Sequence, residues 1–301
     1  MEFITSVNNA RVKDVANLKL KKYRTECKAF FAEGLRAVKE AVQYADVTGL
    51  FFTKTEEDKL NEILNMAEAR GARLYCVDEK VMVKLSDTKT PQGVVAVIKM
   101  PENDLQQLRP GAFAKKMALR NKNAEQATKE NAAYHERKSL SQQFELDNNA
   151  PVLILDRIQD PGNLGTIIRT ADAVGALGII LLEGCVDAYS PKVVRASMGS
   201  LFHLPVAQDV TEEEALTWCY RHGYEPAATA LRNAQNVYKA DISKKMAFIF
   251  GNEANGVAEE LQAAAETRLF IPMAGLAESM NVAMAAGIIL FEGLRQRKFE
   301  R

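Results

Sequence analysis

Short apolar runs alternate with stretches of helical periodicity along most of the chain, most sharply at 151–176, PVLILDRIQDPGNLGTIIRTADAVGA. Residues 152–155 have the length and branching of a buried strand. A polar turn segment follows at 156–165, containing Asp-Pro-Gly-Asn. Leu164, Ile167, Ile168, Ala171 and Gly175 then fall on one helical face at spacings of three and four. Arg169 and Asp172 lie off that stripe, so Arg169 can face a ligand, a partner or water. A second strand is expected at 178–182. Strand, polar loop, helix, strand is a βαβ unit, and in an open α/β sheet such a loop lies where ligands bind.

The first hundred residues alternate in the same way. Helices are expected at 8–20 (Val12, Val15, Ala16), 35–44 (Leu35, Val38, Val42) and 58–70, the last stopped by Gly71. Strands are expected at 50–52, 73–77 and 93–98, with a helical turn at 81–85. This predicts a layered α/β domain over 1–100. Residues 101–150 break the pattern. Pro101 and Pro110-Gly111 punctuate the domain end, and the following mixed-charge stretch with few large apolar residues reads as a linker. Lys115, Lys116, Arg120 and Lys122 within it are alternatively a contact for phosphates. A second domain is expected over 151–301. Beyond the βαβ unit it has a loop and helix at 190–204 opened by Pro191, a strand at 206–209, and a helix at 212–222 that places Trp218 in the core. Strands at 225–230, 247–250 and 269–272 and helices at 258–265 and 281–298 complete it. The run 282–291 is apolar nearly all round, so it needs a buried position or a subunit interface.

Composition narrows the class. The chain has 301 residues, 47% hydrophobic and 26% charged, enough for two domains with their own cores. Its 39 basic and 39 acidic residues balance, which neither demands nor excludes nucleic acid. Locally, Arg11, Lys13, Lys19, Lys21, Lys22, Arg24 and Lys28 crowd 11–28 against only Asp14 and Glu26. Such a run can grip phosphates without reading sequence, or be a solvated helix face. No apolar run is long enough to span a membrane, and the N-terminus is too polar for a signal peptide. The four cysteines, Cys27, Cys76, Cys185 and Cys219, are far apart, as expected of reduced thiols in a cytoplasmic protein.

Several chemistries lack their motifs. His135, His203 and His222 have no metal-ligand spacing, so no metal is expected. There is no GxxxxGK[ST], no GxGxxG and no GxSxG. What remains is three polar loops, each directly after an apolar strand: DPGNLG, GNEANG and PMAGLAESMN. They supply Asn163, Arg169, Asn252, Glu253, Ser279 and Asn281, with glycine-associated backbone amides. That set contains no strong nucleophile. It suits alignment of two bound reactants, with a cofactor that carries the reactive group. Each residue also has a plainer reading: Asn163 and Asn281 as helix caps, Gly251 and Gly256 as turn glycines, Arg169 as a surface residue, Arg195 as a surface salt bridge.

The ordered trio DPGNLGTIIRTADAVGA, FIFGNEANGV and IPMAGLAESMNVAMAAGI resembles the three motifs of the SpoU-class RNA ribose 2′-O-methyltransferases of the SPOUT superfamily. NARVKDVANLKLKKYR, FFAEGLRAVKEAV and LSDTKTPQGVVAV resemble the substrate-binding domain often fused in front of them. The resemblance implies a ribosomal-protein-like α/β RNA-binding domain, then an α/β-knot methyltransferase domain with a deep trefoil knot. It implies a homodimer with the active site near the interface. The implied reaction moves a methyl group from S-adenosylmethionine to a ribose 2′-hydroxyl of RNA, ribosomal RNA ahead of transfer RNA; the alternatives are a transfer RNA 2′-O-methyltransferase, a non-catalytic RNA-binding relative, and a nucleotide-binding enzyme of different chemistry on a similar sheet. Arg169 looks like the catalytic arginine, near the ribose hydroxyl or as a phosphate anchor; an arginine is normally charged, so support is easier for it than a role as base. Asn163 shapes the first loop, Glu253 orients or accepts a proton, and Ser279 and Asn281 form the polar pair of the third motif. Leu231, Gly251, Ile271 and Met280 line the implied cofactor pocket. Arg11, Lys21, Lys22, Arg24 and Arg195 are the expected RNA contacts. The long 101–150 connection departs from the family pattern, as does methionine at 280, where most relatives have leucine.

Overall fold

A computed structural model describes residues 1–102, 104–108, 148–252 and 254–299. The chain forms two compact units, one of Met1–Glu102 with Asp187–His203, the other of the remaining C-terminal half with residues 104–108.

In the first unit the elements run β1 (Glu2–Ile4), α1 (Ala10–Asn17), α2 (Lys21–Cys27), β2 (Ala29–Glu33), α3 (Leu35–Tyr44), β3 (Val47–Thr53), α4 (Glu57–Ala69), β4 (Arg73–Val77), α5 (Glu79–Leu85) and β5 (Val94–Lys99). The sheet order is β1-β4-β3-β5-β2. The first three strands of that order are parallel, and β5 is antiparallel to both of its neighbours. Side chains alternate along a strand. Phe51, in register with Tyr75 and Val95, therefore faces Val12, Val15, Val81 and Met82 of α1 and α5. Leu50 and Phe52 turn to the other side, where α3 and α4 pack.

The helix expected over 8–20 is interrupted. Asn9 caps α1 by accepting from the Arg11 N–H at 2.9 Å, and the chain turns at 18–20 before restarting as α2. Arg24 holds this break. Its guanidinium donates to the Leu18 and Lys19 carbonyls at 2.7 and 2.9 Å and pairs with Asp187 at 2.6 Å. At 3% exposure it has no face left for a phosphate. The expected RNA contact at Arg24 is corrected accordingly: it is a buried tie within the first unit.

The second unit contains β6 (Val152–Leu155), α6 (Pro161–Ala173), β7 (Gly178–Leu182), β8 (Val206–Val210), α8 (Glu212–His222), β9 (Glu225–Thr229), β10 (Gln235–Asn236), β11 (Met246–Phe250), α9 (Glu259–Ala264), β12 (Thr267–Phe270) and α10 (Val282–Lys298). Its sheet order is β10-β12-β9-β11-β6-β7-β8, and every pairing is parallel. A parallel sheet is covered on both faces, which explains strands with no polar alternation. Val152, Ile154, Ile180 and Ile249 pack with Trp218 and Cys219 of α8 and Leu261 of α9. On the other face lie Leu164, Ile167, Ile168 and Ala171 of α6, with α10 beside it. Trp218 is core, as expected. Residues 105–108 were expected within the linker, yet Leu108 is buried in this core and the Trp218 Nε1–H donates to the Leu105 carbonyl at 3.1 Å. Lys115, Lys116, Arg120 and Lys122 lie outside the described residues.

α7 (Pro191–Ala196) follows β7 in the chain but packs on β2 in the first unit. Phe30 meets Tyr189 and Phe202 with ring centroids 4.8 and 6.3 Å away, and His203 lies 3.1 Å from Glu40. No helix among the described residues is long and apolar enough to cross a membrane.

Candidate active site

In an all-parallel sheet the carboxyl ends of the strands share one edge. β12, β9, β11 and β6 are successive neighbours. The segments leaving them, 271–281, 230–234, 251–258 and 156–160, therefore stand side by side.

The expected turn at 156–165 is shorter than its sequence suggests. Asp160 accepts from the Asn163 N–H at 2.8 Å and Pro161 opens the helix, the two devices that start α6. Asn163 is thus in the first turn, and Asp160 is the cap. Across 118 residues of sequence, the Asn281 side-chain amide donates to Asn163 Oδ1 at 2.8 Å. Asn281 Oδ1 also accepts from the Ala283 and Met284 N–H groups at 2.9 and 3.3 Å, capping α10. The cap and the bridge between the first and third motifs coincide in one side chain.

Asn252 joins the second motif to the first. Its Nδ2 donates to the Arg157 carbonyl at 2.9 Å, and its Oδ1 accepts from the Ala254 and Asn255 N–H groups at 2.9 and 3.3 Å. Gly251 lies where this loop closes on itself: a Cβ there would stand 2.1 Å from the Gly256 carbonyl carbon and the Val257 nitrogen. Only glycine lets backbones approach so closely. Asp156, which sequence reasoning passed over, is buried at the end of β6 and forks onto Arg157. Hydrogen bonding to that carboxylate holds the Arg157 guanidinium above its ordinary pKa. The only signal in the sequence was a carboxylate directly after an all-apolar strand.

The third segment is solvent-exposed from 272 to 279, with Ile271 and Met280 half-buried at its ends. Among the described residues, no hydrogen bond within the fold takes up the backbone N–H groups of 273–280. Leu231, 75% exposed, follows Ala230, whose N–H donates to the Leu269 carbonyl at 3.0 Å at the end of the neighbouring β12. An adenosine group needs apolar surfaces for its ring and main-chain donors and acceptors for its edge. Leu231, Ile271 and Met280 with this uncommitted backbone match that need. Ser279 is exposed in the same segment, and Glu253 lies outside the described residues.

Arg169 is not brought to these loops by any contact. It lies on the exposed stripe of α6 with Gly162, Thr166 and Ala173, and its side chain has no hydrogen-bond or ion-pair partner among the described residues. α6 packs on α10, whose Met284 and Phe291 are 62% and 52% exposed. In the first unit Lys21 and Lys22 are exposed on α2, and Arg11 pairs with Glu2 at 2.5 Å. Arg195 Nη1 donates to Glu33 and Asp87 at 2.8 and 3.3 Å.

Known proteins resemble this chain in sequence and fold. The SpoU rRNA Methylase family matches residues 150–291, and the MRM3-like substrate binding domain matches residues 9–96. The 23S rRNA (guanosine(2553)-2′-O)-methyltransferase RlmP of Bacillus subtilis is 32% identical over 296 residues, 97% of this chain and 98% of the relative. The solved AdoMet-bound rRNA methyltransferase from Sinorhizobium meliloti superposes with a TM-score of 0.78 at 32% identity, covering 99% of this chain and 98% of that one. The SpoU methyltransferase AviRb from Streptomyces viridochromogenes, in complex with AdoMet, gives 0.77 at 26% identity, covering 98% and 100%. With three motif loops on one sheet edge and likeness over nearly its whole length, the chain belongs to the SpoU family of S-adenosylmethionine-dependent RNA ribose 2′-O-methyltransferases.

Proposed function

We propose that this protein methylates a ribose 2′-hydroxyl of ribosomal RNA, acting as a homodimer in the cytoplasm. The observation that carries the chemistry is the Asn163–Asn281 bond, which joins two loops 118 residues apart at the sheet edge. The ribosomal RNA substrate is supported by the names of the relatives that match over nearly full length.

When bound, S-adenosylmethionine supplies a methyl group made electrophilic by its sulfonium. The protein's work is alignment, because the attacking oxygen must lie in line with the methyl carbon. Leu231, Ile271 and Met280 would hold the adenosine between apolar surfaces, with main-chain groups of the third segment available to its edge. Gly251 lets the second loop close tightly alongside. Asn163 and Asn281 fix the first loop against the third. Ser279 and Glu253 hold the ribose, and Glu253 takes the hydroxyl proton. Arg169 steadies the phosphate or the developing charge on the ribose oxygen.

Arg169 stands on the outer face of α6, beside exposed apolar residues of α10. Pairing of two copies through these helices hides Met284 and Phe291 from water and carries Arg169 toward the neighbouring active site. The knotted path of the third segment belongs to this proposal. It is supported by β12 lying between β10 and β9, both earlier in the chain. Residues 1–100 carry the RNA, with Arg11, Lys21 and Lys22 as phosphate contacts, and 151–301 carry the methyl transfer.

Calorimetric titration of wild type and Arg169→Ala with S-adenosylhomocysteine, paired with tritium-methyl transfer to ribosomal RNA, tests the reading. Arg169→Ala is expected to bind the product as wild type does and to lose transfer. Absence of binding by wild type removes the methyltransferase reading; wild-type transfer by the variant leaves Arg169 structural only.

A further inference from the structure

We infer that Asp156 and Arg157 are positioning residues that lock the second loop, 251–258, onto the first at both of its ends. This inference rests on the methyl-transfer reading above. Asp156 is 1% exposed, and a buried carboxylate is costly unless fully partnered. Its Oδ1 accepts from Arg157 Nε at 2.7 Å; its Oδ2 accepts from Arg157 Nη2 at 2.9 Å and from the Ala258 N–H at 2.8 Å. Its own N–H donates to the Phe250 carbonyl at 2.8 Å. One carboxylate thus holds the far end of the loop directly.

The near end is held through Arg157. Its φ is 53°, in the left-handed region that L-residues occupy only where the surroundings compensate. The forked pair with Asp156 provides that compensation. In this conformation the Arg157 carbonyl accepts from Asn252 Nδ2 at 2.9 Å. Asn252 in turn accepts from the Ala254 and Asn255 N–H groups through Oδ1, and from the Gly256 N–H through its carbonyl at 2.8 Å. A strained residue on the first loop therefore sets the turn of the second. The guanidinium acts on its own backbone, through Asp156, and not on the substrate.

Glycine separates these roles. Arg157→Gly removes the guanidinium and occupies the left-handed region without cost, whereas Arg157→Ala removes the guanidinium and keeps the penalty. A misplaced loop on the methyl-transfer unit lowers kcat while leaving affinity for RNA, so Arg157→Ala is expected to lose about tenfold in kcat, with KM for RNA within about twofold. Arg157→Gly is expected to recover most of that kcat. Equal losses in the two variants, or a loss carried by KM, assign the side chain to substrate contact and overturn the inference. Hydrogen exchange gives a readout independent of turnover. The Ala254 and Gly256 amides should exchange faster in Arg157→Ala than in wild type, and near the wild-type rate in Arg157→Gly; wild-type protection in Arg157→Ala also overturns it. An inactive wild type showing this exchange pattern sinks the proposed function and leaves the lock standing, so the two failures are distinguishable.

Discussion

Asn281 performs two tasks that one substitution separates. It caps α10 through Oδ1 and bridges to Asn163 through Nδ2. Asn281→Asp keeps the cap, because aspartate is as good there and its charge suits a helix N-terminus. It deletes the donor and sets two oxygens against each other at a separation that is now 2.8 Å. Asn281→Ala removes both tasks. Losing the cap costs about 1 kcal/mol, and losing an exposed hydrogen bond adds about 1 kcal/mol. For a unit of this size, about 2 kcal/mol lowers Tm by about 5 °C. Asn281→Asp loses only the bridge and is partly offset by its charge, so its Tm should stay within about 2 °C of wild type. If the bridge registers the first and third loops, losing it removes at least about 1.4 kcal/mol of alignment, or about tenfold in rate. Initial rates of tritium-methyl transfer and scanning calorimetry on the same preparations provide both readouts. Wild-type turnover by Asn281→Asp would refute the bridge as part of the catalytic geometry, and an Asn281→Ala that melts with wild type would refute the cap.

The remaining predictions concern the loop crossing, the RNA contacts and the thiols. Gly251→Ala drives a Cβ to 2.1 Å from two backbone atoms that cannot rotate away. It is expected to cost about 3 kcal/mol and abolish S-adenosylhomocysteine binding in calorimetry, and normal binding contradicts the crossing's role. Lys21→Glu with Lys22→Glu should weaken ribosomal RNA binding and flatten the log–log salt slope by about one to two; an unchanged slope moves the contacts elsewhere. Burial pushes the Cys185 thiol up to about 11 and the Cys219 thiol to about 12, whereas Cys27 is exposed. A thiol reagent should therefore modify Cys27 first. The Cys185 and Cys219 thiols hold their protons more tightly folded than unfolded, so their contribution is lost as pH rises from the ordinary thiol range toward about 11 and about 12. A denaturation midpoint that stays flat over that window contradicts this.

The centre of the C-terminal sheet was legible because β6, β7 and β11 are buried on both faces and read as unbroken apolar runs, each ended by a polar loop. β1 was not legible, since three residues with one buried side chain carry no period. The break between α1 and α2 was hidden because Arg24 looks like its basic neighbours in sequence; only its ion pair with the distant Asp187 reveals it. Asp156 was missed for the same reason: its partners, Ala258 and Arg157, explain it only after folding. The attachment of 187–203 to the first unit likewise rests on contacts such as Phe30–Tyr189, which no local pattern announces. The three motifs were legible as a set, and the Asn163–Asn281 and Asn252–Arg157 bonds supply a physical reason for their joint occurrence.

The most direct measurement is the chemical position of the transferred methyl group. Purified protein is incubated with ribosomal RNA and S-adenosylmethionine labelled with tritium in the methyl group, and the RNA is hydrolysed in alkali. A methylated ribose oxygen cannot assist cleavage of the neighbouring phosphodiester, so the account predicts label in alkali-stable dinucleotides. Label released as mononucleotides carrying a methylated base, or no label in the RNA at all, contradicts it.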